Sequence, residues 1–142
     1  MVTMMYSQHH GDRLMAMECM DVPCYRQPFE MGCIKPAEKV AMVDALATAS
    51  DRAAFLHAIN RSFDRPMPIS LDVTALGPTA GSGRMYLLEG RLERESDVPP
   101  EEPLAWITEY AVPVQGGVAS AELPPRSIAV IEIPRTRLLV FR

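Results

Sequence analysis

The sequence has few of the features that mark nucleic-acid-binding or membrane proteins. Its 142 residues hold only two lysines, Lys35 and Lys39, and its net charge is −4. A nucleic-acid interface needs lysine and arginine clustered on one face, so this composition argues against a nucleic-acid partner. No apolar run approaches the roughly 20 residues that cross a bilayer as a helix, and we therefore expect no membrane partner either.

Cysteine is scarce and confined to one region. The three cysteines lie within residues 19–33, and an odd number of cysteines cannot form a complete set of disulfides. Reduced thiols are typical of the cytosol. The first ten residues also lack the basic stretch and apolar run of a secretory leader, so we expect a cytoplasmic protein.

Long uninterrupted segments are missing as well. Thirteen prolines and eight glycines break the chain, which favours short strands and turns over long helices. The clearest signal spans residues 54–73, where an apolar run ending at Asn60 and an alternating run with Ile69, Leu71 and Val73 flank a polar, proline-bearing turn. This pattern predicts a pair of strands joined by that turn.

The rest of the chain predicts the same architecture. Further segments with the length of strands are 13–20, 40–48, 84–89, 106–112, 114–121 and 127–133. The last two are predicted to pair across a proline turn, and a helix over 38–47 competes with the strand at 40–48 because alanine and methionine favour helix. Residues 1–142 are therefore predicted to form one all-β domain, an antiparallel, jelly-roll-like β-sandwich of seven to eight short strands.

One segment is predicted to have no regular structure. Residues 21–39 contain four helix- or strand-breaking residues, Pro23, Pro28, Gly32 and Pro36. We expect this segment to cross one end of the domain as a loop. Its predicted anchors are the apolar residues Tyr25, Phe29, Met31 and Ile34.

Three segments, taken in order, resemble a known domain. They are 43–48 (VDALAT), 55–62 (FLHAINRS) and 123–133 (LPPRSIAVIEI). Their order and spacing resemble the C-terminal β-sandwich of glycoside hydrolases of the α-L-arabinofuranosidase type and of related retaining clans. The resemblance covers residues 11–134, which leaves 135–142 as a terminal strand or docking tail. Residues 95–100 (ESDVPP) depart from the family pattern in a loop that often lies near the catalytic barrel.

The resemblance implies a function without a catalytic site. Enzymes of this type use two glutamates about 5–5.5 Å apart on a (β/α)8 barrel of roughly 250 residues. This chain is too short for such a barrel, so no catalytic residue is assigned and enzymatic activity of the chain itself is left open. The resemblance implies a non-catalytic accessory domain that stabilises or assembles with a retaining glycosidase barrel, in cis or in trans, or that self-associates.

Two aromatic residues keep a different function open. Trp106 is the only tryptophan, and Tyr110 follows it by four positions, so both side chains lie on one face of a strand. Exposed aromatic rings stack on sugar faces. The alternative prediction is thus a stand-alone carbohydrate-binding module that contacts a plant-type polysaccharide or oligosaccharide through Trp106 and Tyr110.

A third hypothesis is a metal- or thiol-based enzyme centred on the cysteines. The candidate ligands are His9, His10, Cys19, Cys24 and Cys33. Their spacing does not match the paired ligands of zinc sites, and adjacent histidines on a strand point to opposite faces. We therefore predict no metal or cofactor site.

The remaining polar candidates favour structural roles. Glu89 with Glu93 or Glu109 is the only tempting carboxylate pair, and a solvated surface explains these residues. His57, the one base available to a cysteine nucleophile within a strand, is predicted to be a sheet histidine whose ring nitrogens have hydrogen-bond partners. Asn60 begins an Asn-Arg-Ser glycosylation sequence, yet we expect its side chain to hold a turn by bonding backbone amides.

Methionine crowds the N-terminal quarter of the chain. The residues concerned are Met1, Met4, Met5, Met15, Met17, Met20 and Met31. Such density is typical of adaptable packing against a partner surface. Ordinary core packing explains it almost as well.

Overall fold

The structure, a computed structural model, describes residues 1–90 and 105–136. Within these residues the chain forms one short helix, α1 (Val2–Gln8), and a 3-10 turn at Thr74–Leu76. The strands are β1 (Arg13–Met15), β2 (Cys24–Gln27), β3 (Ala37–Ala41), β4 (Val43–Ala49), β5 (Ala53–Asn60), β6 (Met67–Asp72), β7 (Ser82–Gly90), β8 (Ala105–Gln115), β9 (Val118–Leu123) and β10 (Ser127–Pro134). No helix in this part of the chain has the length and apolar character needed to cross a membrane.

Eight strands form one antiparallel sheet that curls over its own core. The strand order is β1-β4-β5-β10-β7-β8-β9-β6, while β2 and β3 form a separate two-stranded sheet. The main core joins Leu56, Leu87 and Ile131 from β5, β7 and β10 to Met67 and Leu123 from β6 and β9. Because both ends of the sheet contribute to one core, β6 and β9 form a second layer. The predicted all-β, antiparallel sandwich is confirmed.

A second apolar cluster covers the outer face of the sheet. Met5 of α1 is fully buried against Ala53, Phe55 and Val130 of β5 and β10. The central strand β5 is thus packed on both faces, which explains its unbroken apolar run. The sequence patterns did not predict α1, whose seven residues are too few to show a helical period.

The predicted pairing of the two strands in residues 54–73 is wrong. Both strands exist, but β5 pairs with β4 and β10, whereas β6 pairs with β9. Since both edges of β5 are occupied, the turn after Asn60 carries the chain into the other layer of the sandwich instead of closing a hairpin.

The predicted pairing across the proline turn before β10 is also wrong. β9 pairs with β6 and β8, and β10 pairs with β5 and β7. The hairpin in this region joins β8 to β9 through Gly116 and Gly117, both with positive φ. Two successive residues with positive φ give the turn whose twist matches that of paired strands, and glycine adopts it without a steric penalty.

The N-terminal third differs most from the predictions. The segment 40–48 is not a helix and is divided between β3 and β4, with a break at Met42, whose amide donates to the carbonyl of Pro23 at 2.8 Å. The segment 13–20 is a strand only at β1. The segment 21–39, predicted to be irregular, contains β2 and the start of β3.

Three of the four predicted anchors in that segment are exposed. Phe29, Met31 and Ile34 are 71%, 59% and 55% exposed, and only Tyr25 is half-buried. These residues lie beside β2 and β3, which pair with each other and not with the large sheet. Their apolar side chains therefore do not hold the segment against the sandwich. Of the other predicted regions, Glu93, residues 95–100 and residues 137–142 lie outside the described residues.

Candidate functional site

The strand β8 carries a row of side chains that begins in the core and ends at the surface. Alternate residues of a strand share a face, so Trp106, Thr108 and Tyr110 continue the row of buried Val112 and Val114. The second layer reaches β8 only at its other end, where β9 pairs with Val114 and Gln115. Trp106 and Tyr110 are 38% and 41% exposed. We call Trp106, Thr108 and Tyr110 the aromatic row.

Glu89 links the members of the aromatic row. It lies directly opposite Trp106 in the register of β7 and β8. Its carboxylate accepts hydrogen bonds from Trp106 Nε1 at 3.2 Å, from the Thr108 hydroxyl, and from the Tyr110 hydroxyl at 3.4 Å. The two predicted aromatic residues therefore do share a face, and a carboxylate fixes the direction of their polar edges.

Glu89 cannot form a catalytic pair with Glu109. Glu109 is opposite Tyr86 in the register, and this pair lies on the other face of the sheet from Glu89 and Trp106. Glu109 instead lies 3.4 Å from the guanidinium of Arg84, with both side chains exposed. The interpretation of Glu109 as part of a solvated sheet surface agrees with this placement, whereas Glu89 is part of a polar cluster. Glu93 lies outside the described residues.

The segment between β1 and β4, residues 16–42, carries exposed apolar side chains. We call this segment the arm. Met20 is 77% exposed, and the exposed Phe29, Met31 and Ile34 lie on the same segment. Met17 is the exception, because it packs against the main core. The cluster of N-terminal methionines thus divides into core residues such as Met5 and exposed residues such as Met20 and Met31.

The three cysteines also lie on the arm. Cys19, Cys24 and Cys33 are all exposed and free. The ring of His9 instead stacks on Tyr86 of β7 at a centroid distance of 3.6 Å. Within residues 1–90 and 105–136, no three side chains of the metal-ligating types come together as a metal site.

His57 is a buried histidine between α1 and the sheet. Its Nε2 lies 3.3 Å from the hydroxyl oxygen of Thr48, and its ring meets the ring of Tyr6 edge-on at 4.9 Å. The other ring nitrogen, Nδ1, is buried and has no hydrogen-bond partner among the described residues. The prediction that both ring nitrogens have partners is therefore wrong for Nδ1. Burial, and secondarily the nearby His10, lowers the pKa of His57.

Asn60 is buried at the end of β5, and its side chain forms four hydrogen bonds to main-chain groups. It is 1% exposed, and its side-chain nitrogen donates to the carbonyls of Arg65, Leu123 and Pro124 at 2.9, 3.0 and 2.8 Å. Its side-chain oxygen accepts the amide of Ser62 at 2.9 Å. The prediction that Asn60 holds its turn by bonding a backbone amide is confirmed, but the same side chain also holds the turn before β10.

Comparison with known proteins places the fold among parts of larger enzymes. No protein-family model matches the sequence, and no curated protein does so either. Among solved structures, an α-L-arabinofuranosidase from Thermotoga maritima in complex with arabinose is similar over 91% of this chain, at 18% identity and a TM-score of 0.71. The thermostable GH51 α-L-arabinofuranosidase from Thermotoga petrophila is similar over 90%, at 20% identity and a TM-score of 0.69.

A third similar structure covers less of the chain. AbfB, a family 51 α-L-arabinofuranosidase from Bifidobacterium longum, is similar over 68% of this chain, at 22% identity and a TM-score of 0.56. The matched parts make up 27% of each Thermotoga chain and 19% of AbfB. The chain therefore shares the fold of about a quarter of a Thermotoga arabinofuranosidase, as the sequence resemblance predicted.

Proposed function

We propose that this chain is a non-catalytic accessory β-sandwich of a glycoside hydrolase of the arabinofuranosidase type. Its role is to stabilise or assemble with a catalytic barrel. The observation that carries the proposal is the asymmetry of the fold likeness: 91% of this chain corresponds to only 27% of the Thermotoga maritima enzyme. A β-sandwich of the size found here supplies a packing surface, whereas the retaining mechanism needs a separate scaffold for two glutamates.

The arm supports the proposal because it presents an apolar surface for a partner. The exposed side chains concerned are those of Met20, Phe29, Met31 and Ile34. When a partner fully buries a large apolar side chain, the complex is stabilised by about 1.5–3 kcal/mol. Interface energy usually concentrates in a few well-packed residues, with aromatic side chains prominent among them. Arg26 and Glu38, paired at 3.2 Å on the same arm, would lie at the polar margin of this surface.

Co-expression tests the proposal. The tagged chain is expressed together with the open reading frames that neighbour its gene, and the recovered complex is identified by mass and sequence. We expect a stoichiometric complex with a (β/α)8 glycoside hydrolase. Phe29→Ser and Ile34→Ser should each weaken it by roughly tenfold or more, since each removes a buried apolar contact.

Phe63→Ser is the matched control for the arm variants. Phe63 is 77% exposed, as open to solvent as the arm residues, but lies in the loop between β5 and β6. We expect its substitution to leave the complex unchanged. A well-behaved monomer that recovers no barrel-sized partner from any neighbouring reading frame contradicts the accessory role.

A further inference from the structure

We propose that the aromatic row and Glu89 form a binding site for a neutral oligosaccharide. This site is separate from the arm and does not depend on the accessory role. It lies on the core-facing side of β7 and β8, beyond the end that the second layer covers. Within the described residues, β9 pairs with β8 only at Val114 and Gln115, and Trp106 and Tyr110 further along the same face are partly exposed.

Both rings are held in place by hydrogen bonds before any ligand binds. Hydrogen bonds to Glu89 hold the indole nitrogen of Trp106 and the hydroxyl of Tyr110, so neither side chain needs to lose much rotational freedom on binding. These bonds engage only the edges of the rings and leave the faces available. Ring faces carry the apolar area and the negative π surface that pack against the C–H bonds of a sugar.

The length of the row favours an oligosaccharide over a single sugar. The main-chain positions of residues four apart on a strand are separated by about 13 Å, and Thr108 lies between Trp106 and Tyr110. The polar edges of the two rings lie closer together than this, because both donate to the one carboxylate of Glu89. Two adjoining sugar units, one against each ring, fit this arrangement better than a single sugar does.

The charge at the centre of the row favours a neutral ligand. A carboxylate offers about four acceptor positions, and Trp106, Thr108 and Tyr110 occupy three around Glu89. Among the described residues, this leaves one acceptor position for a sugar hydroxyl. A uronic acid would place a second negative charge beside Glu89, which is unfavourable at short range. Neutral pentose or hexose oligosaccharides are therefore the ligand class that the site fits.

The only tryptophan of the chain reports on this site directly. The purified full chain is titrated with arabino-oligosaccharides and xylo-oligosaccharides, and with galacturonate oligosaccharides as the anionic comparison, while tryptophan fluorescence is recorded. We expect a saturable change in the Trp106 emission with at least one neutral series and none with the anionic series. Calorimetry repeats the titration on Trp106→Ala, which has no tryptophan emission to record.

Variants separate the contributions of the row. Trp106→Ala and Tyr110→Ala should each raise the dissociation constant about tenfold, because each removes one stacking ring. Glu89→Gln should weaken binding as well, since an amide group presents hydrogen-bond donors where the row needs acceptors. Phe63→Ala, which removes an exposed ring in the loop between β5 and β6, should leave the affinity unchanged.

Three results overturn the saccharide site. They are the lack of a saturable response to every neutral series, an equal loss of affinity in Phe63→Ala, and a Trp106 emission that responds to a catalytic barrel but to no saccharide. The last result would assign the row to a protein interface. Conversely, if the chain is monomeric, binds saccharide and recruits no barrel, the saccharide site is supported and only the accessory role is contradicted.

Discussion

The side-chain nitrogen of Asn60 lies 3.0 Å from the main-chain oxygen of Leu123, a residue 63 positions further along the chain. This bond joins the end of β5 in one layer to the end of β9 in the other. Asn60 also donates to Pro124, and Ser127 donates through its hydroxyl to the same carbonyl at 2.7 Å. The two turns that carry the chain between layers are therefore fastened to each other by one buried amide.

We expect Asn60→Ala to destabilise the protein strongly. The substitution removes the Asn60 partner of the Ser62 amide and of the Leu123 carbonyl, whereas the Pro124 carbonyl keeps the Ser127 hydroxyl. Each buried polar group left unpaired costs about 1–3 kcal/mol. The expected loss in the free energy of unfolding is therefore about 3 kcal/mol or more, measured by urea denaturation.

Asn60→Asp and Ser70→Ala complete this test. Aspartate keeps the size of asparagine but loses the donor and adds a charge, so it should destabilise at least as much as alanine. Ser70 is exposed on β6, and Ser70→Ala should change the free energy of unfolding by less than about 0.5 kcal/mol. A similarly small effect of Asn60→Asp would contradict the role of the side-chain nitrogen.

The strands could be predicted from the sequence, but their partners could not. Alternation specifies which face of β6, β7 or β9 is buried, and burial of a face does not depend on which strand lies next to it. Neighbours in sequence usually pair, which is why β5 and β6 were expected to do so. Pairing here is decided by β10, whose register with both β5 and β7 fills the centre of the sheet.

The candidate sites were likewise predictable only where they depend on residues close together in the sequence. The four-residue spacing of Trp106 and Tyr110 was enough to predict that they share a face. The inclusion of Glu89 depends on its register opposite Trp106, 17 residues further along the chain, which no local pattern contains. Phe29, Met31 and Ile34 were expected to be anchors because apolar residues are usually buried. Their exposure depends on where the arm lies relative to the sandwich.

We expect Met5→Ala to release α1 from the sheet. α1 has no side-chain bond at its N-cap, no acidic residue in its first turn and no basic residue in its last turn, and a helix this short is not stable by itself in water. Its attachment depends on fully buried Met5, and truncation of a buried methionine costs about 2–5 kcal/mol. Amide hydrogen exchange should show faster exchange throughout α1.

Met4→Ala is the matched control for this experiment. Met4 belongs to the same helix and is 49% exposed, so its truncation removes no core contact. Exchange in α1 and the unfolding midpoint should both stay close to those of the unmodified chain. Equal exchange rates in the two variants would mean that contacts other than Met5 hold the helix.

The histidine beneath α1 should make the stability of the protein depend on pH. Burial, and secondarily His10, lowers the pKa of His57 in the folded chain, whereas an unfolded histidine titrates near pH 6.5. As the pH falls below that value, the unfolded chain binds a proton that the folded chain does not yet bind. The free energy of unfolding therefore falls with decreasing pH, and this loss is complete below the folded pKa.

His57→Gln should reduce this dependence on pH between about pH 7.5 and 5.5. Other groups near His57 are Tyr6, His10 and Asp44, and His9 lies 3.7 Å from Glu132 on β10. Urea unfolding of the unmodified chain and of His57→Gln at several pH values measures the effect. If His57→Gln keeps the slope of the unmodified chain, the titration of His57 is not coupled to folding.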